Sequence, residues 1–198
     1  MITLGNHTWR RKEINPYLTG SERVIRPANF ASAAPGRGLA VANATDGSPV
    51  AVINVMGSLF LTVAHDLFET IDPLVEEAKR SAEIVFVDVH AEATSEKVAL
   101  AHWLDGRVTA VLGTHTHVQT ADARIQRGGT AAMTDVGMTG PHDSVIGVKA
   151  NLAIHRMRTG MPVRFEVADG DVRLEGALVE CDASGRATAI EPVRVAIA

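Results

Sequence analysis

Five polar side chains fall where short apolar runs end. Asn6 and His7 follow "ITLG" (2–5), His90 follows "IVFVDV" (84–89), and His115 and His117 follow "VTAVLGT" (108–114). Ligands of α/β sheets gather outside the carboxyl ends of the strands, so these residues are expected to share one space. Four imidazoles and one amide suit Zn, Mn or Fe. A lone histidine at a strand end is ordinarily a hydrogen-bonded loop residue. The coincidence on three runs is what favours a metal centre. His65, His142 and His155 have weaker claims, and His102, beside Trp103 in a helical stretch, reads as packing. Asp88 lies two residues before His90 and so shares its strand face. It reads as a group that orients a ligand rather than as a ligand. Asp135, closing "MTD", reads as a turn residue or a neighbour of the site, and Glu92 and Glu96 as helix-start or surface residues. No Ser or Cys stands in a nucleophile-elbow setting, and no His-Glu-x-x-His string occurs.

The elements that must position these groups alternate. "PVAVINVMG" (49–57), "EIVFVDVH" (83–90) and "VTAVLG" (108–113) are β-branched runs bounded by turn residues and read as buried strands. Between them, "DPLVEEAKRSA" (72–82) reads as a helix capped by Asp72 with Pro73 as its first residue, and "SEKVALAHWLDG" (95–106) as a helix capped by Ser95. "RRKEINPYLTG" (10–20) reads as a short helix stopped by Pro16 and Gly20, and "SAAPGRG" (32–38) as loop. Strand, helix, strand, helix, strand over 49–113 implies a layered α/β domain. From 128 onward the runs look like strands, with Asp169-Gly170 as a hairpin turn between "VRFEV" and "VRLEGALVE". The expectation is one domain over 1–198, an α/β sandwich with mixed sheets.

The bulk numbers narrow the function classes. Of 198 residues 46% are hydrophobic and 21% charged, a globular composition. The net charge of −4 gives no general attraction for nucleic acid, and no specific nucleic-acid partner is evident. Apolar runs are of strand length, well short of the ~20 residues of a membrane helix, so no membrane partner is expected. A single cysteine, Cys181, excludes an intrachain disulfide and fits a reducing cytoplasm.

"GNHTW" (5–9) resembles the GNH motif of the calcineurin-like metallophosphoesterases. "GTHTHV" (113–118) resembles their closing Gly-His-x-His motif, with Thr114 inserted after the glycine, and His90 falls where the family has a lone intermediate histidine. "RPANF" (26–30), "HAEATSEK" (90–97), "GTHTHVQTAD" (113–122) and "TDVGMTGPHDS" (134–144) resemble one bacterial branch of phosphodiesterases acting on 2′,3′- and 3′,5′-cyclic nucleotides. The resemblance implies two divalent transition metals (Fe, Mn or Zn) and a metal-activated hydroxide that attacks phosphorus. It assigns Asn6, His90 and His115 to one metal, His117 to the other, and His7 to a catalytic role as general acid beside the leaving oxygen.

In that family an Asp and a bridging acidic residue precede GNH, on two earlier βα units. GNH begins here at residue 5, so both motifs are expected to be absent and this chain is expected to hold one metal. Hydrolysis would then be impaired. Two readings stay open: a cyclic-nucleotide phosphodiesterase, or a non-catalytic metal-binding or regulatory remnant of the family. The expected partner is a cyclic nucleotide or other phosphodiester, with homo-oligomerisation open. The strand at 2–5 is expected inside the main sheet, beside the strands ending at Gly57 or His90.

Overall fold

The computed structural model describes residues 1–197. Its centre is a six-stranded sheet of order β3-β4-β5-β6-β8-β7, formed by β3 (Leu39–Asn43), β4 (Pro49–Met56), β5 (Ile84–His90), β6 (Ala110–Thr114), β7 (Arg124–Ile125) and β8 (Ala131–Met133). Neighbours from β4 to β8 run parallel, and the two edge strands run antiparallel. Two crossover helices, α2 (Leu67–Lys79) and α3 (Thr94–Trp103), link the parallel strands. Both cover one face of the sheet. Val85, Val87 and Val89 of β5 meet Ile71, Val75, Leu100 and Leu104 there and are essentially shielded from water. Each such side chain contributes ~1.5–3 kcal/mol of burial.

The alternation of β5 turns Phe86, Asp88 and His90 to the opposite face. That face is covered in part by a hairpin of β10 (Val172–Cys181) and β11 (Ala187–Ala196), whose Val179 and Ile190 pack with Phe86 and Leu112 around Ala110, Ala131 and Ala187. β9 (Gly140–Pro141) adds to the other edge of β10. The expected α/β architecture with mixed sheets and an antiparallel C-terminal part is therefore present.

Several local expectations are corrected. The first apolar run forms β1 (Ile2–Thr3), which pairs in parallel with β2 (Val24–Ile25) in a separate two-stranded sheet. It does not enter the main sheet because β4 and β5 already have partners on both edges. Helix α1 (Ile14–Gly20) contains Pro16 in its first turn, where a missing N–H costs nothing. Helix α2 starts before Asp72: Asp66 accepts from the N–H groups of Phe68 (2.8 Å) and Glu69 (2.9 Å), and Pro73 lies inside the helix. Asp72 instead accepts from Trp103 Nε1 (2.9 Å) and Arg107 (2.7 Å). Helix α3 starts after Ala93, without a side-chain cap.

The Asp169-Gly170 hairpin does not form. Both edges of β10 are taken by β9 and β11, and the segment before it follows the loop at 145–149 through Lys149 N to Glu166 O and Ala168 N to Gly147 O. The β10–β11 turn runs through Asp182, whose carboxylate accepts from the N–H groups of Ser184 and Arg186. β3 and α4 (Ala150–Thr159) carry no clear signal in the sequence.

Candidate metal centre

β5 and β6 end side by side, with His90 opposite Thr114 in register. The Gly5-Asn6 backbone crosses over this end. A Cβ on Gly5 would stand 2.3 Å from the His90 ring, so only glycine lets the chain pass close enough to present Asn6. Asn6 Oδ1 lies 2.9 Å from His90 Nε2, and His115 Nδ1 lies 3.1 Å from the same nitrogen. The two imidazole rings meet edge to face at 72°.

The outer nitrogens of both rings are already engaged. Thr114 Oγ1 donates to Asp88 Oδ1 (2.8 Å), so it accepts from His90 Nδ1–H (3.0 Å). His115 Nε2 points at Glu92 Oε2 (2.9 Å) and donates to it. Those two bonds fix the tautomers and leave bare lone pairs on His90 Nε2 and His115 Nδ1. Three acceptors then converge with no proton among them. Turning the Asn6 amide would supply one donor to His90 but none between the two imidazoles. Neighbouring ligands of an ion bound at ~2.0–2.2 Å stand ~3.0–3.4 Å apart, close to the separations seen here. The donor set thus fits a divalent cation held by Asn6, His90 and His115. Among the described residues no group of three or more His, Cys, Asp and Glu is arranged for a metal ion; this trio owes its third donor to an amide.

Asp88 supports the site from behind. It accepts from Asn54 Nδ2 (2.9 Å) as well as from Thr114. Burial pulls its pKa up, against the pull of these donors. On the other side, Asp135 Oδ2 accepts from the backbone N–H and hydroxyl of Thr116 (3.0 and 2.6 Å) and from Lys97 Nζ (3.0 Å). Thr116 separates His115 and His117, both of which have left-handed backbones (φ 98° and 64°), uncommon for non-glycine residues. Asp135 is therefore the anchor of the histidine loop.

Of the five residues singled out in the sequence, the structure brings Asn6, His90 and His115 together. His117 is exposed and makes no side-chain hydrogen bond to the trio. His7 is also exposed and borders a cavity of about 520 Å³ with Arg10 and Arg11. Of the weaker candidates, His142 sits between Gly140 O (3.0 Å) and Glu175 (3.3 Å), and His65 meets Ser32. His102 is exposed rather than packed. Glu92, which reads as a surface or helix-start residue in the sequence, is the partner of His115. Nothing in the sequence singles out Lys97, and Thr114 stands out there only as an insertion after Gly113.

Burial, then the neighbouring charges of His115 and Lys97, lowers the His90 pKa from 6.5 to about 4. The unfolded chain takes up this proton near pH 6.5 while the fold resists it until about pH 4. Between those values the unfolded state binds more protons, so stability falls as pH falls, and above pH 6.5 the group contributes nothing. The full loss approaches ~3 kcal/mol. Urea unfolding of chelator-treated protein at pH 7.5 and 4.5 should show this loss, and His90→Gln should flatten the profile by a similar amount. An unchanged profile in the variant would contradict the assignment.

The family described as YmdB-like protein matches residues 1–193. A 2′,3′-cyclic-nucleotide 2′-phosphodiesterase of Bacillus subtilis is 49% identical over 181 residues, spanning 91% of this chain and 68% of that protein. A putative phosphatase/phosphodiesterase of Mycoplasma genitalium is 36% identical over 206 residues, with 99% of this chain and 72% of the relative covered. Among solved structures, a hypothetical protein from Thermus thermophilus superimposes with a TM-score of 0.91 at 44% identity, over 99% of this chain and 76% of the other. A novel phosphatase from Mycoplasma pneumoniae gives 0.86 at 34% identity, over 98% and 71%. The GNH and Gly-Thr-His-Thr-His strings carry the same relationship as these whole-chain matches: the chain belongs to the YmdB-like family of calcineurin-like metallophosphoesterases.

Proposed function

We propose that this chain is a metal-dependent phosphodiesterase that opens cyclic nucleotides, with the 2′,3′-cyclic linkage as its first substrate. Its relatives are named phosphodiesterase or phosphatase, and it is an enzyme of the phosphoesterase type. The observation that carries the metal dependence is the convergence of Asn6 Oδ1, His90 Nε2 and His115 Nδ1 with no proton between them. A divalent cation at this point supplies Lewis-acid stabilisation of phosphoryl oxygens and lowers the pKa of a water. Thr114 and Glu92 hold the two imidazoles in the ligating tautomer. His7, Arg10 and Arg11 border the adjoining cavity and offer positive charge to the phosphate. His7 donates a proton to the leaving oxygen, and His117 is the donor available to a second ion on the same loop. Compartment is proposed as the cytoplasm; no helix among the described residues is long and apolar enough to cross a membrane.

The test is hydrolysis of 2′,3′-cyclic AMP by chelator-stripped protein, before and after Mn²⁺ is added. Stripped protein should be silent and Mn²⁺ should restore turnover, with 3′,5′-cyclic AMP as the parallel substrate. The rival is a non-catalytic metal-binding module, favoured by the separation of His117 from the trio. Uptake of Mn²⁺ with hydrolysis of neither nucleotide would establish that rival.

A further inference from the structure

Asn6 has a second neighbourhood besides the trio. There it borders an apolar cavity of about 560 Å³ together with Trp9, Phe30, Met56, Phe60 and Thr62, and no charged side chain lines it. The volume lies within the ~300–1,000 Å³ range of small-molecule sites. Trp9 and Phe30 form one wall, with ring centroids 5.8 Å apart and a 39° tilt. Phe60 also lines the cavity and is 87% exposed, on a left-handed backbone of φ 69°.

A bulky residue in that conformation is strained, and the loop carrying it is tied at both ends. Glu96 Oε1 accepts from the N–H groups of Ser58 (2.7 Å) and Leu59 (3.1 Å). The Asn29 carbonyl accepts from those of Ala64 (3.0 Å) and His65 (3.1 Å). Asn29 is fully buried and its amide clamps Met56 N and O at the end of β4. The framework therefore holds an aromatic side chain out of the core, at a cavity that Trp9, Phe30 and the candidate metal donor Asn6 also line. Folding alone gives no reason to expose it.

We infer that this cavity is the nucleobase pocket of the site, in which the base of a cyclic nucleotide stacks against Trp9, Phe30 and Phe60 while its phosphate lies at the Asn6–His90–His115 trio. The inference rests on the reading of that trio as a phosphodiesterase centre. A flat π-face on an uncharged aromatic wall is the chemistry that base stacking uses, and it tolerates any base. The cationic groups His7, Arg10 and Arg11 line a separate cavity. The uncharged cavity suits a base, and the cationic one suits phosphate.

Trp9 reports on this directly, because the chain has only two tryptophans. In a Trp103→Phe background, 2′,3′-cyclic AMP should quench Trp9 emission saturably, and base-free ribose 2′,3′-cyclic phosphate should not. Phe60→Ala, an exposed position that does not threaten folding, should raise the nucleotide Kd about tenfold. It should shift the Kd of the base-free compound less than twofold by calorimetry, and Phe60→Tyr should restore nucleotide binding. Equal shifts for both compounds, or nucleotide binding without a Trp9 response, would overturn the pocket. So would a Trp9 signal that follows protein concentration alone, which assigns the face to a second copy. Hydrolysis of the base-free compound without nucleotide quenching keeps the phosphodiesterase reading and removes the pocket. Quenching without hydrolysis of either keeps the pocket and removes the reaction.

Discussion

Replacing Lys97 with Met should cost the fold about 3 kcal/mol or more and loosen the histidine loop at the same time. Lys97 and Asp135 are 2% and 1% exposed and stand 3.0 Å apart. Taking one partner from a buried ion pair leaves an uncompensated charge, typically ~3–5 kcal/mol. Asp135 keeps three other donors, the hydroxyl and N–H of Thr116 and the N–H of Gly137, which place the loss toward the lower end. Gly113 shows why lysine runs this path: a Cβ there would meet Lys97 Cδ at 2.8 Å and the Thr134 carbonyl at 1.8 Å. The double variant Lys97→Met/Asp135→Leu removes both charges and should recover much of the stability, because an apolar pair of similar volume is often neutral. It should not recover the site, since Thr116 then has no anchor and the left-handed backbones of His115 and His117 relax. Urea unfolding measures the first quantity and Mn²⁺ affinity the second. A double variant with normal stability and normal Mn²⁺ affinity would show that Asp135 does not position the loop.

That dual role marks where the sequence is legible and where it is not. β4, β5 and β6 announce themselves because β-branched runs between turn residues have few other ways to bury themselves. The placement of His90 and His115 follows, since a strand's last residue points out of the sheet's carboxyl end. What depends on distant pairing is not legible. Asp72-Pro73 imitates a helix start, yet Asp66 caps α2 and Asp72 is drawn off to Trp103 and Arg107. Asp169-Gly170 imitates a hairpin, but the edges of β10 are already filled. β3 is small and mixed in character, and α4 buries only Ala153, so neither carries a strong period. At the candidate site, His90 and His115 stand out as histidines. Thr114, Glu92 and Lys97 are ordinary residue types whose role appears only when β5, β6 and α3 meet. Trp9, Phe30 and Phe60 lie far apart in the chain and share no motif, so only the fold shows that they face one cavity.

His115→Ala and His7→Ala should separate metal binding from proton transfer, and the two together give the largest expected loss of turnover. His115 contributes Nδ1 to the trio while Glu92 fixes its other nitrogen. Its removal leaves Asn6 and His90 as two donors, so both metal content and turnover should fall. His7 follows Asn6 immediately but stands apart from the trio, exposed beside Arg10 and Arg11. Its removal takes no donor from the trio. Metal content should therefore hold while turnover falls ~10²–10⁴-fold, the usual worth of a general acid. A leaving group of low pKa gives a further discrimination, because it departs without a proton. A p-nitrophenyl phosphodiester should lose much less than 2′,3′-cyclic AMP does when His7 is replaced, and about as much when His115 is. Metal loss in His7→Ala would move His7 into the donor set. An equal loss on both substrates with metal retained would mean that His7 binds the phosphate as a cation, in company with Arg10 and Arg11, and protonates nothing.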